Sequence, residues 1–504
     1  MSRSRKSKCA DTVRKVLVFA LSLSVARIGV AQSTAAPHDP GLRVNPSGAQ
    51  DVGGPFGSLT ADESRFFLDG QSRFQKVESV STGLGPTFNA KSCSTCHQQP
   101  AFGGSSPAQN PQIAQMPSSN TQPYFLVANG PVFEARFPFY LNSDGSVSTV
   151  QDGSVHDLFT IVGLPNSGSC NISQPNFSQM EQLNNIIFRI PTPVFGLGLV
   201  ETIADETIIA NMNANSSTKS NLGIHGVPNR SGNDNGISRF GWKAQNKSGQ
   251  LFAGEAYNVE MGVTNELFQN ERGNSSIQNA ANDPPVSCLL NPIPEDATNF
   301  IPPPTVTDNF QTPSDIVEFS HFMRFLAPPA QDINGIPGSP TQAQINTGKT
   351  TFETLGCNLC HTEQLTTAIS PNGANNQGSS SYDTGANATT FFLSNQPVNL
   401  YSDLLIHHMG GLADGITQGL ALGDQFRTAP LWGLGQRIFF LHDGRATPSN
   451  GGLVTAIQDH DLTPFNNYPQ SEAHDVIAVF NSYLNGTATQ QQQIQDMLYF
   501  LRSL

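Results

Sequence analysis

The sequence repeats one pentapeptide pattern, as Cys93-Ser94-Thr95-Cys96-His97 and as Cys357-Asn358-Leu359-Cys360-His361. Both stretches read Cys-x-x-Cys-His, the attachment signature of c-type haem. One turn of chain places two thiols under the two vinyl groups of a porphyrin, and the next residue presents its imidazole to the iron as the proximal ligand. We therefore expect two covalently bound haem c groups, held by Cys93, Cys96, His97, Cys357, Cys360 and His361.

Two other kinds of site use paired cysteines, and the sequence favours neither of them. A structural zinc site takes its ligands from two knuckles close in sequence, whereas these cysteine pairs lie more than 250 residues apart. A thioredoxin-like redox pair needs one Cys-x-x-Cys and no histidine after it. The histidine that follows both pairs is therefore best explained by haem.

The first 31 residues have the pattern of a secretory signal peptide. A basic region at residues 3–15 precedes an apolar run at residues 16–30, which ends in the small-residue cleavage site Gly29-Val30-Ala31. Arg27 and two serines interrupt the run, so that it falls short of the ~20 apolar residues that a membrane span needs. We expect the segment to be removed on export, leaving a periplasmic or secreted chain without a membrane span.

The remaining cysteines fit an exported protein. Cys9 lies in the expected signal peptide, and only Cys170 and Cys288 then stand outside the two motifs. Disulfides form and persist in oxidising compartments. We therefore expect a disulfide between Cys170 and Cys288.

Composition and charge limit the classes of function. The chain has 504 residues, 37% hydrophobic and 13% charged, with 45 Gly and 35 Pro. This composition fits two or three globular cores with irregular connections and argues against a coiled coil or a disordered tail. The formal net charge is −13, and it becomes −19 without the first 31 residues, which carry seven basic side chains and one acidic one. Such a chain lacks the surplus of Lys and Arg that a nucleic-acid partner requires.

An internal repeat precedes the two motifs. A glycine is followed four residues later by a phenylalanine in each helix-like stretch, Gly70 with Phe74 and Gly348 with Phe352. Such a pair lies on one helix face, and a cytochrome c fold uses this face to let its first helix cross its last. Apolar residues at three- and four-residue spacing predict that last helix over Thr489–Leu504, with Thr489 as its N-cap.

A second repeat indicates duplication of a whole module. Residues 188–198, FRIPTPVFGLG, resemble residues 426–435, FRTAPLWGLG, with one residue inserted. The chain therefore looks like a duplicated haem module whose first copy has grown by insertion. Both stretches end in Gly-Leu-Gly, and we expect these glycines to bring backbone close to a porphyrin face.

These patterns predict a mainly α-helical fold with two cytochrome-c-like haem domains. The first domain is enlarged by an irregular insertion, with β-strands between Gln122 and Leu164. The expected division is a signal peptide at 1–31, a flexible leader at 32–58, an N-terminal haem domain at 59–327, a linker at 328–340 and a C-terminal cytochrome c domain at 341–504. We also expect helices at about Asp315–Phe325 and Ser471–Leu484, and a long polar loop at Ser370–Asn387.

Several motifs resemble the bacterial di-haem oxidoreductase family. They are Gly83-Leu84-Gly85-Pro86-Thr87-Phe88-Asn89, Gly196-Leu197-Gly198-Leu199-Val200-Glu201, Arg239-Phe240-Gly241-Trp242-Lys243-Ala244, residues 426–433 and Leu441-His442-Asp443-Gly444-Arg445-Ala446. The family is regarded as one of peroxidases and is related to the di-haem cytochrome c peroxidases. The resemblance extends over nearly all of the chain after the signal peptide.

The resemblance implies that the two irons divide the work. One haem is six-coordinate and stores or relays an electron, with Met as a usual second axial ligand because a thioether raises the potential. The other haem leaves a position for peroxide, beside an acid/base residue. For the second haem we predict Met409 as the axial ligand, with its neighbours His407 and His408 as competitors. A buried methionine that fills a gap is the alternative role for Met409.

Glu260-Met261-Gly262 resembles the Glu-Met-Gly of cytochrome c peroxidases, in which the Glu serves the peroxidatic haem. We therefore predict Glu260 as the catalytic acid/base and Met261 as a packing residue. Glu201 is the second candidate, and an exposed position is the ordinary alternative for Glu260. His442 is a candidate for a hydrogen bond near the second haem, although the stretch around it also suits a structural turn.

The predicted protein is a secreted di-haem c-type cytochrome that reduces peroxide with electrons relayed between its haems. Its partners would be a small-molecule oxidant and a small electron-donor protein, a cytochrome or cupredoxin, with a basic donor favoured by the acidic chain. The alternatives are a non-catalytic two-haem electron carrier and a haem enzyme that oxidises an organic substrate. Related peroxidases also imply a calcium ion between the modules, but the sequence has no dedicated Asp-rich loop for one.

Overall fold

Helices provide most of the regular structure in this computed structural model, which describes residues 36–44, 52–299, 313–368 and 393–504. Thirteen α-helices and ten short strands lie in these ranges. The mainly α-helical class that the sequence predicts is therefore confirmed. The expected signal peptide at 1–31 and the polar loop at 370–387 lie outside the described residues.

The helices follow the chain from the leader to the last residue. They are α1 (Ala61–Gln75), α2 (Cys93–Cys96), α3 (Gln112–Gln115), α4 (Phe177–Gln182), α5 (Leu197–Thr202), α6 (Asp205–Asn213), α7 (Ser216–Asn221), α8 (Gly249–Met261), α9 (Asp315–Phe325), α10 (Gln342–Thr354), α11 (Leu453–Gln458), α12 (His474–Leu484) and α13 (Ala488–Ser503). The helix predicted at 315–325 is confirmed, and the one predicted at 471–484 begins three residues later, at His474.

The strands pair into small antiparallel sheets of two. They are β1 (Thr87–Phe88), β2 (Glu134–Arg136), β3 (Phe139–Leu141), β4 (Val147–Gln151), β5 (Phe159–Thr160), β6 (Ile187–Arg189), β7 (Leu365–Thr366), β8 (Pro397–Val398), β9 (Ile406–His408) and β10 (Gln425–Arg427). The pairs are β1 with β5, β2 with β6, β3 with β4, β7 with β8 and β9 with β10. Four of these strands, β2 to β5, confirm the β insertion predicted between Gln122 and Leu164.

Side-chain caps set the starts of the long helices. Thr60 caps α1, because its hydroxyl accepts from the Glu63 amide and the Glu63 carboxylate accepts from the Thr60 amide. Thr487 caps α13 in the same way with Gln490. The predicted N-cap, Thr489, is therefore wrong by two residues. The helix begins after Thr487, and Gln490 completes the reciprocal pair of hydrogen bonds with it.

The first repeat lets helices cross at close range. A Cβ on Gly70 of α1 would lie 2.3 Å from the Glu318 carbonyl oxygen of α9, and one on Gly348 of α10 would lie 2.0 Å from the Asp496 carbonyl oxygen of α13. Only glycine allows backbones to approach this closely. The phenylalanine that follows each glycine packs against the crossing helix, Phe74 on Phe322 and Phe352 on Phe500. The predicted crossing is confirmed for both copies.

The second repeat also has equivalent contacts in its two copies. A Cβ on Gly198 would lie 2.2 Å from the carbonyl oxygen of Arg324, at the end of α9, and one on Gly435 would lie 2.2 Å from that of Arg502, at the end of α13. These glycines are therefore required by contact with a helix end. Their nearest neighbours are backbone atoms of a helix end, and not a cavity where the expected porphyrin face would lie.

Two hydrophobic cores correspond to the two copies of the repeat. The larger core is built mainly from residues 52–326, and the smaller core lies between Ile336 and Leu504. Leu365, Leu400 and Trp432 belong to the larger core although they follow the predicted linker. The polypeptide after residue 340 therefore contributes to both cores, and residues 36–504 form one compact unit.

The disulfide predicted from the leftover cysteines is present. Cys170 and Cys288 are joined with an S–S distance of 2.07 Å, across 118 residues of chain. Cys170 follows the β insertion, and Cys288 lies in a turn far beyond it, so the bond ties two irregular segments together. No helix within the described ranges is both long enough and apolar enough to cross a lipid bilayer.

Part of the predicted leader is fixed against the C-terminal helix. Asp39 accepts from the Arg502 guanidinium at 2.6 and 2.7 Å, and the Val44 amide donates to the Gly335 carbonyl at 2.9 Å. Arg502 is fully buried and needs this carboxylate, because an unpaired buried charge is costly. The expectation of a flexible leader over 32–58 is therefore wrong for residues 36–44.

Candidate functional site

The two Cys-x-x-Cys-His motifs share one backbone hydrogen bond across a single turn. In each, the histidine amide donates to the carbonyl of the first cysteine, at 3.1 Å from His97 to Cys93 and at 2.9 Å from His361 to Cys357. The first motif forms α2, and the second forms a single 3-10 turn at Cys357–Leu359. One tight turn therefore joins both cysteines of a motif to its histidine, as the spacing predicts.

Both motif histidines are oriented by a backbone carbonyl. The Nδ1 of His97 lies 3.0 Å from the Gly104 carbonyl oxygen, and the Nδ1 of His361 lies 2.9 Å from that of Tyr401. Because a carbonyl oxygen only accepts, Nδ1 carries the proton in each neutral ring and Nε2 keeps the lone pair. The His97 ring has a second backbone contact, with Thr192. Burial lowers the pKa of both imidazoles to about 4, so they are neutral. A buried neutral imidazole oriented by a backbone carbonyl is the usual form of a metal-ligating histidine.

Each of these rings lies beside the phenylalanine of the first repeat. The ring centres of Phe74 and His97 are 6.1 Å apart, and those of Phe352 and His361 are 6.3 Å apart. These phenylalanines come from α1 and α10, four residues after the glycines at the helix crossings. The repeat thus places an equivalent aromatic neighbour at both histidines, which supports a duplicated module.

A mainly apolar cavity opens beside each motif. The first has a volume of about 110 Å³ and the second of about 220 Å³, and each has the cysteines and the imidazole of its motif in the wall. An apolar cavity that offers two thiols and one unprotonated imidazole nitrogen matches the donor set of haem c. The residues present therefore fit the cofactor that the motifs predict.

The thiols do not have the chemistry of a redox pair. Their apolar surroundings raise the pKa of Cys93 and Cys357 to about 12, and that of Cys96 well above its ordinary value. Thiol–disulfide exchange depends on a thiolate, and catalytic pairs lower the pKa of the attacking thiol. The raised pKa values of Cys93, Cys96 and Cys357 therefore argue against the thioredoxin-like explanation of the motifs.

Glu260 lies in the last turn of α8 and lines the first cavity together with His97. The Nδ2 of Asn89 donates to its Oε2 at 2.9 Å. Burial, together with the nearby charge of Glu134, raises the pKa of Glu260 well above its ordinary value, which favours the protonated carboxyl. The next residue, Met261, is buried in the core, and its predicted packing role is confirmed.

Glu134 of β2 lines the same cavity and is a site residue that the sequence motifs missed. Burial opposes a charge on Glu134, but its ion pair with Arg136 outweighs that effect and lowers the pKa of Glu134 to about 2. Glu134 and Glu260 also share a hydrogen bond. The pKa values of the two carboxyls are thus shifted in opposite directions, as those of an acid/base pair are. The signal in the sequence was Glu-x-Arg, two charges on one face of a short apolar strand.

Glu201, the second candidate for the acid/base, has a structural role instead. Its carboxylate accepts from the Arg324 guanidinium at 2.6 and 2.9 Å and from the Gly249 amide at 3.0 Å. It is fully buried, with 0% of its surface exposed, and it is not among the residues that line the first cavity. The candidate role is therefore wrong, because this carboxylate is consumed in joining α5 to α9 and α8.

The second cavity contains several of the predicted ligand candidates. Met409, His407 and His442 all line it. The two ring nitrogens of His407 contact the Glu472 carboxylate at 2.7 Å and the Asp403 carboxylate at 2.9 Å. Both nitrogens of His407 are therefore engaged, and ligation of a metal would break a buried ion pair.

His408 and His442 differ in the contacts that hold their rings. The ring of His408 contacts Asp424 at 2.7 Å and Gln425 at 3.1 Å, so it too has both nitrogens engaged. The ring of His442 packs against that of Phe426, with centres 4.3 Å apart, and faces the cavity. His442 therefore lies at the second cavity, and its hydrogen bond near the second haem stays a prediction, as does the role of Met409.

A further histidine, His460, faces His361 across the second cavity. The two ring centres are 6.5 Å apart, and both rings line the cavity. His460 belongs to a 3-10 turn, Asp459–Asp461, directly after α11. No sequence motif marked it, because it lies far along the chain from His361 and only the fold brings the two together.

Two guanidinium groups also line the second cavity, those of Arg427 and Arg437. Apolar surroundings lower the pKa of both to about 10, and they remain charged at neutral pH. Arg427 donates to the Gly241 carbonyl at 3.0 Å, but within the described ranges neither guanidinium has a carboxylate partner. Cations buried without a counter-ion are costly, and the carboxylates of a haem would supply one.

The predicted calcium ion finds no matching group of ligands in the described part of the chain. There, the one cluster of three or more His, Cys, Asp or Glu donors within ligand distance is Cys360, Asp403 and His407. It combines sulfur, oxygen and nitrogen, whereas Ca²⁺ takes six to eight oxygens. The cluster also includes a cysteine of the second motif.

One family of known proteins matches the sequence. The family described as "Di-haem oxidoreductase, putative peroxidase" matches residues 166–460, more than half of the chain. The matched region includes the second Cys-x-x-Cys-His motif and begins after the first.

No curated protein matches the sequence significantly. A chain of hydrazine synthase from Kuenenia stuttgartiensis, solved under xenon pressure, is 18% identical over 38% of this chain and 55% of its own length, with a TM-score of 0.19. The present chain thus spans about half the length of that one.

Proposed function

Because this chain belongs to the di-haem oxidoreductase family, we propose that it is a secreted c-type cytochrome that reduces peroxide with electrons relayed between two covalently bound haems. The proposal is carried by one observation: two Cys-x-x-Cys-His turns of the same geometry each border an apolar cavity, and a protonated carboxyl lies in the wall of the first. The repeated helix crossings support two cytochrome-c-like halves.

The chain's own residues would hold the two haems as follows. Cys93 and Cys96 would bind the first covalently, and Cys357 and Cys360 would bind the second. His97 and His361 would supply the proximal nitrogens; Met409 is the second ligand that the sequence predicts at the second iron, and His460 lines the same cavity. When bound, the haems supply one-electron chemistry at iron.

Arg427 and Arg437 would position the second haem through its carboxylates. Guanidinium groups bind carboxylates with two parallel hydrogen bonds, which fixes orientation as well as charge. Arg427 follows directly on Phe426 in β10, within the second repeat, and the strand holds it at the cavity. This would satisfy both positive charges that the protein itself leaves without a carboxylate there.

Glu260 would act as the proton donor at the first haem. Reduction of hydrogen peroxide to water consumes two electrons and two protons, and a positioned acid is needed for cleavage of the O–O bond. Glu260 would keep its proton because burial and the charge of Glu134, which pairs with Arg136, raise its pKa. Asn89 orients the Glu260 carboxyl through the bond to its Oε2.

The electrons would come from a small basic donor protein, a cytochrome or a cupredoxin. The formal charge of −19 after residue 31 would attract a positively charged partner at low ionic strength. The expected rate of electron entry therefore falls as salt is added, because screening shortens the range of the attraction.

Electron paramagnetic resonance of the purified holoprotein tests the proposal. We expect two haems per chain that acidified organic solvent does not extract, one of them high-spin and reactive towards peroxide. Extraction of the haem would contradict covalent attachment. Two low-spin haems in the oxidised and half-reduced protein, without peroxide turnover, would instead support the non-catalytic electron carrier.

A further inference from the structure

His460 and His361 stand opposite each other across the second cavity. Their ring centres are 6.5 Å apart, and the ring planes are inclined by 62°. Each comes from a short turn, His361 directly after Cys357–Leu359 and His460 within Asp459–Asp461. The two turns belong to separate segments of the chain.

The hydrogen bonds of the two rings are alike. The Nδ1 of His460 lies 2.7 Å from the Ala456 carbonyl oxygen, just as the Nδ1 of His361 lies 2.9 Å from that of Tyr401. A carbonyl oxygen only accepts, so the neutral form of each ring has its proton on Nδ1 and a free lone pair on Nε2. His460 therefore shares the feature that identifies the proximal histidine as a metal ligand.

The distance between the rings also fits one shared metal. Two imidazoles that bind one metal from opposite sides through bonds of about 2.0 Å have ring centres about 6 Å apart. Ordinary ring neighbours in this protein reach similar separations, with 6.1 Å between Phe74 and His97. The distance therefore permits a shared iron, and the hydrogen bonds of the two rings carry the argument.

We propose that His460 is the sixth ligand of the second haem iron, which is thereby held between two imidazoles. This rests on the proposed function, since that function places a haem on Cys357 and Cys360. His407, the other histidine predicted as a competitor here, has both ring nitrogens engaged by carboxylates. Met409 lines the same cavity and is the alternative that the experiment must distinguish.

A second imidazole ligand would change the reduction potential of this haem and close its iron to peroxide. An imidazole in place of methionine lowers the reduction potential, because a thioether favours ferrous iron. Full coordination also leaves no position on this iron for peroxide. Among the described residues that line the first cavity, by contrast, His97 is the one histidine. The carboxyls of Glu134 and Glu260, the Arg189 guanidinium and the Tyr257 hydroxyl lie in the same wall.

The test uses the purified holoprotein and its spin state. The unaltered protein should show a low-spin second haem without a sulfur-to-iron charge-transfer band. His460→Ala should make that haem high-spin, and added imidazole should restore the low-spin signal by entering the space of the missing ring. Met409→Leu removes the competing ligand from the same cavity, and a low-spin signal and a midpoint potential that persist in this variant assign the position to His460.

His460→Met provides a second measurement if the alanine variant fails to retain its haem. This variant keeps a ligand at the position, so we expect a new sulfur-to-iron band and a higher midpoint potential. A low-spin second haem that persists in His460→Ala, or a sulfur band that disappears in Met409→Leu, would overturn the proposal. Haem counting separates the two hypotheses: a protein without covalent haem contradicts the proposed function, whereas two haems with unchanged ligation contradict only the role of His460.

Discussion

At the scale of single residues, the first cavity is distinguished by two carboxyls in different protonation states. Arg136 pairs with Glu134 and stabilises its charge, while Glu260 has no cation of its own and faces that charge. Two adjacent carboxylates cannot both ionise cheaply, so the proton stays on Glu260. The asymmetry decides which residue can donate a proton to a bound oxidant.

A variant that lacks the Glu260 carboxyl proton should reduce peroxide more slowly. General acid–base catalysis contributes about 10²–10⁴-fold to a rate, and we expect Glu260→Gln to lower kcat by a factor in that range. The amide still accepts from Asn89, so both haems should remain bound. The measurement is steady-state peroxide turnover, normalised to haem content.

Glu255→Gln is a matched control, because Glu255 lies on the same helix and is not among the residues lining the cavity. It should leave turnover unchanged. A Glu260→Gln protein with two haems and an undiminished rate would assign the acid/base role to another group.

Asp157 should make stability depend on pH. It is buried, and burial raises its pKa from 3.8 to about 7, although Arg272 acts in the opposite direction. The folded protein therefore holds this proton over a range in which the unfolded chain has lost it. The stabilising contribution is complete below pH 3.8 and is lost as the pH rises through about 7.

Asp157→Asn removes this titration, while Thr87 and Asn89 retain a polar partner. We expect the free energy of unfolding of the unaltered protein to fall relative to that of Asp157→Asn between pH 4 and pH 7. Denaturant unfolding at several pH values measures it. Parallel curves for the two proteins would mean that Asp157 titrates normally.

At the scale of helices, both halves depend on a crossing in which one backbone touches another. Gly70 lets α1 meet α9, and Gly348 lets α10 meet α13. Each crossing lies one turn before the phenylalanine that neighbours a motif histidine, Phe74 or Phe352. A shift of either crossing would therefore move the aromatic ring beside the proximal ligand.

Alanine at these two glycines should destabilise the fold. Its Cβ would lie 2.3 Å from a carbonyl oxygen at position 70 and 2.0 Å at position 348, so the helices must separate. Forced overpacking costs about 1–3 kcal/mol, which outweighs the gain of up to ~1 kcal/mol from replacing a helical glycine. Urea unfolding of Gly70→Ala and Gly348→Ala should show this loss.

Gly254→Ala is the control on α8. Its nearest neighbours would be 3.2 to 3.4 Å from the new Cβ, a distance that small adjustments relieve. It should be close to neutral in stability. Equal effects for all three variants would show that helix propensity, not the crossing, governs the result.

At the scale of the whole molecule, two long-range links attach segments that lie outside the repeated helix crossings. The disulfide connects Cys170 and Cys288 across 118 residues. The pair of Asp39 and Arg502 joins the leader to the last helix, at 2.6 Å. The enlarged first half and the chain start are thus attached to the repeated framework by covalent and ionic contacts.

Loss of the disulfide should lower stability by an amount set by the length of the loop. The chain-entropy relation gives about 5 kcal/mol for a loop of this size, as an upper value. The double variant Cys170→Ser/Cys288→Ser should unfold at a lower temperature and should not respond to reductant. The measurement is thermal unfolding with and without reductant, and two freely alkylated thiols in the unreduced protein would contradict the bond.

The sequence by itself predicted the two haem sites and determined much of the framework. The cysteines and the histidine of each motif are neighbours in sequence, so local spacing alone predicts them as a set. The Gly-Phe repeats predicted the helix crossings because a helix puts residues four apart on one face. The disulfide followed from the two cysteines left over in an oxidising compartment.

Only the tertiary structure decided what faces each motif histidine. Glu134 and Glu260 come from β2 and α8, and His460 comes from a turn after α11. Glu201 failed as a candidate because its partner, Arg324, lies on a helix far along the chain. Groups on the far side of a planar cofactor belong to other segments of the chain. No local spacing constrains their positions, and folding alone brings them to the site.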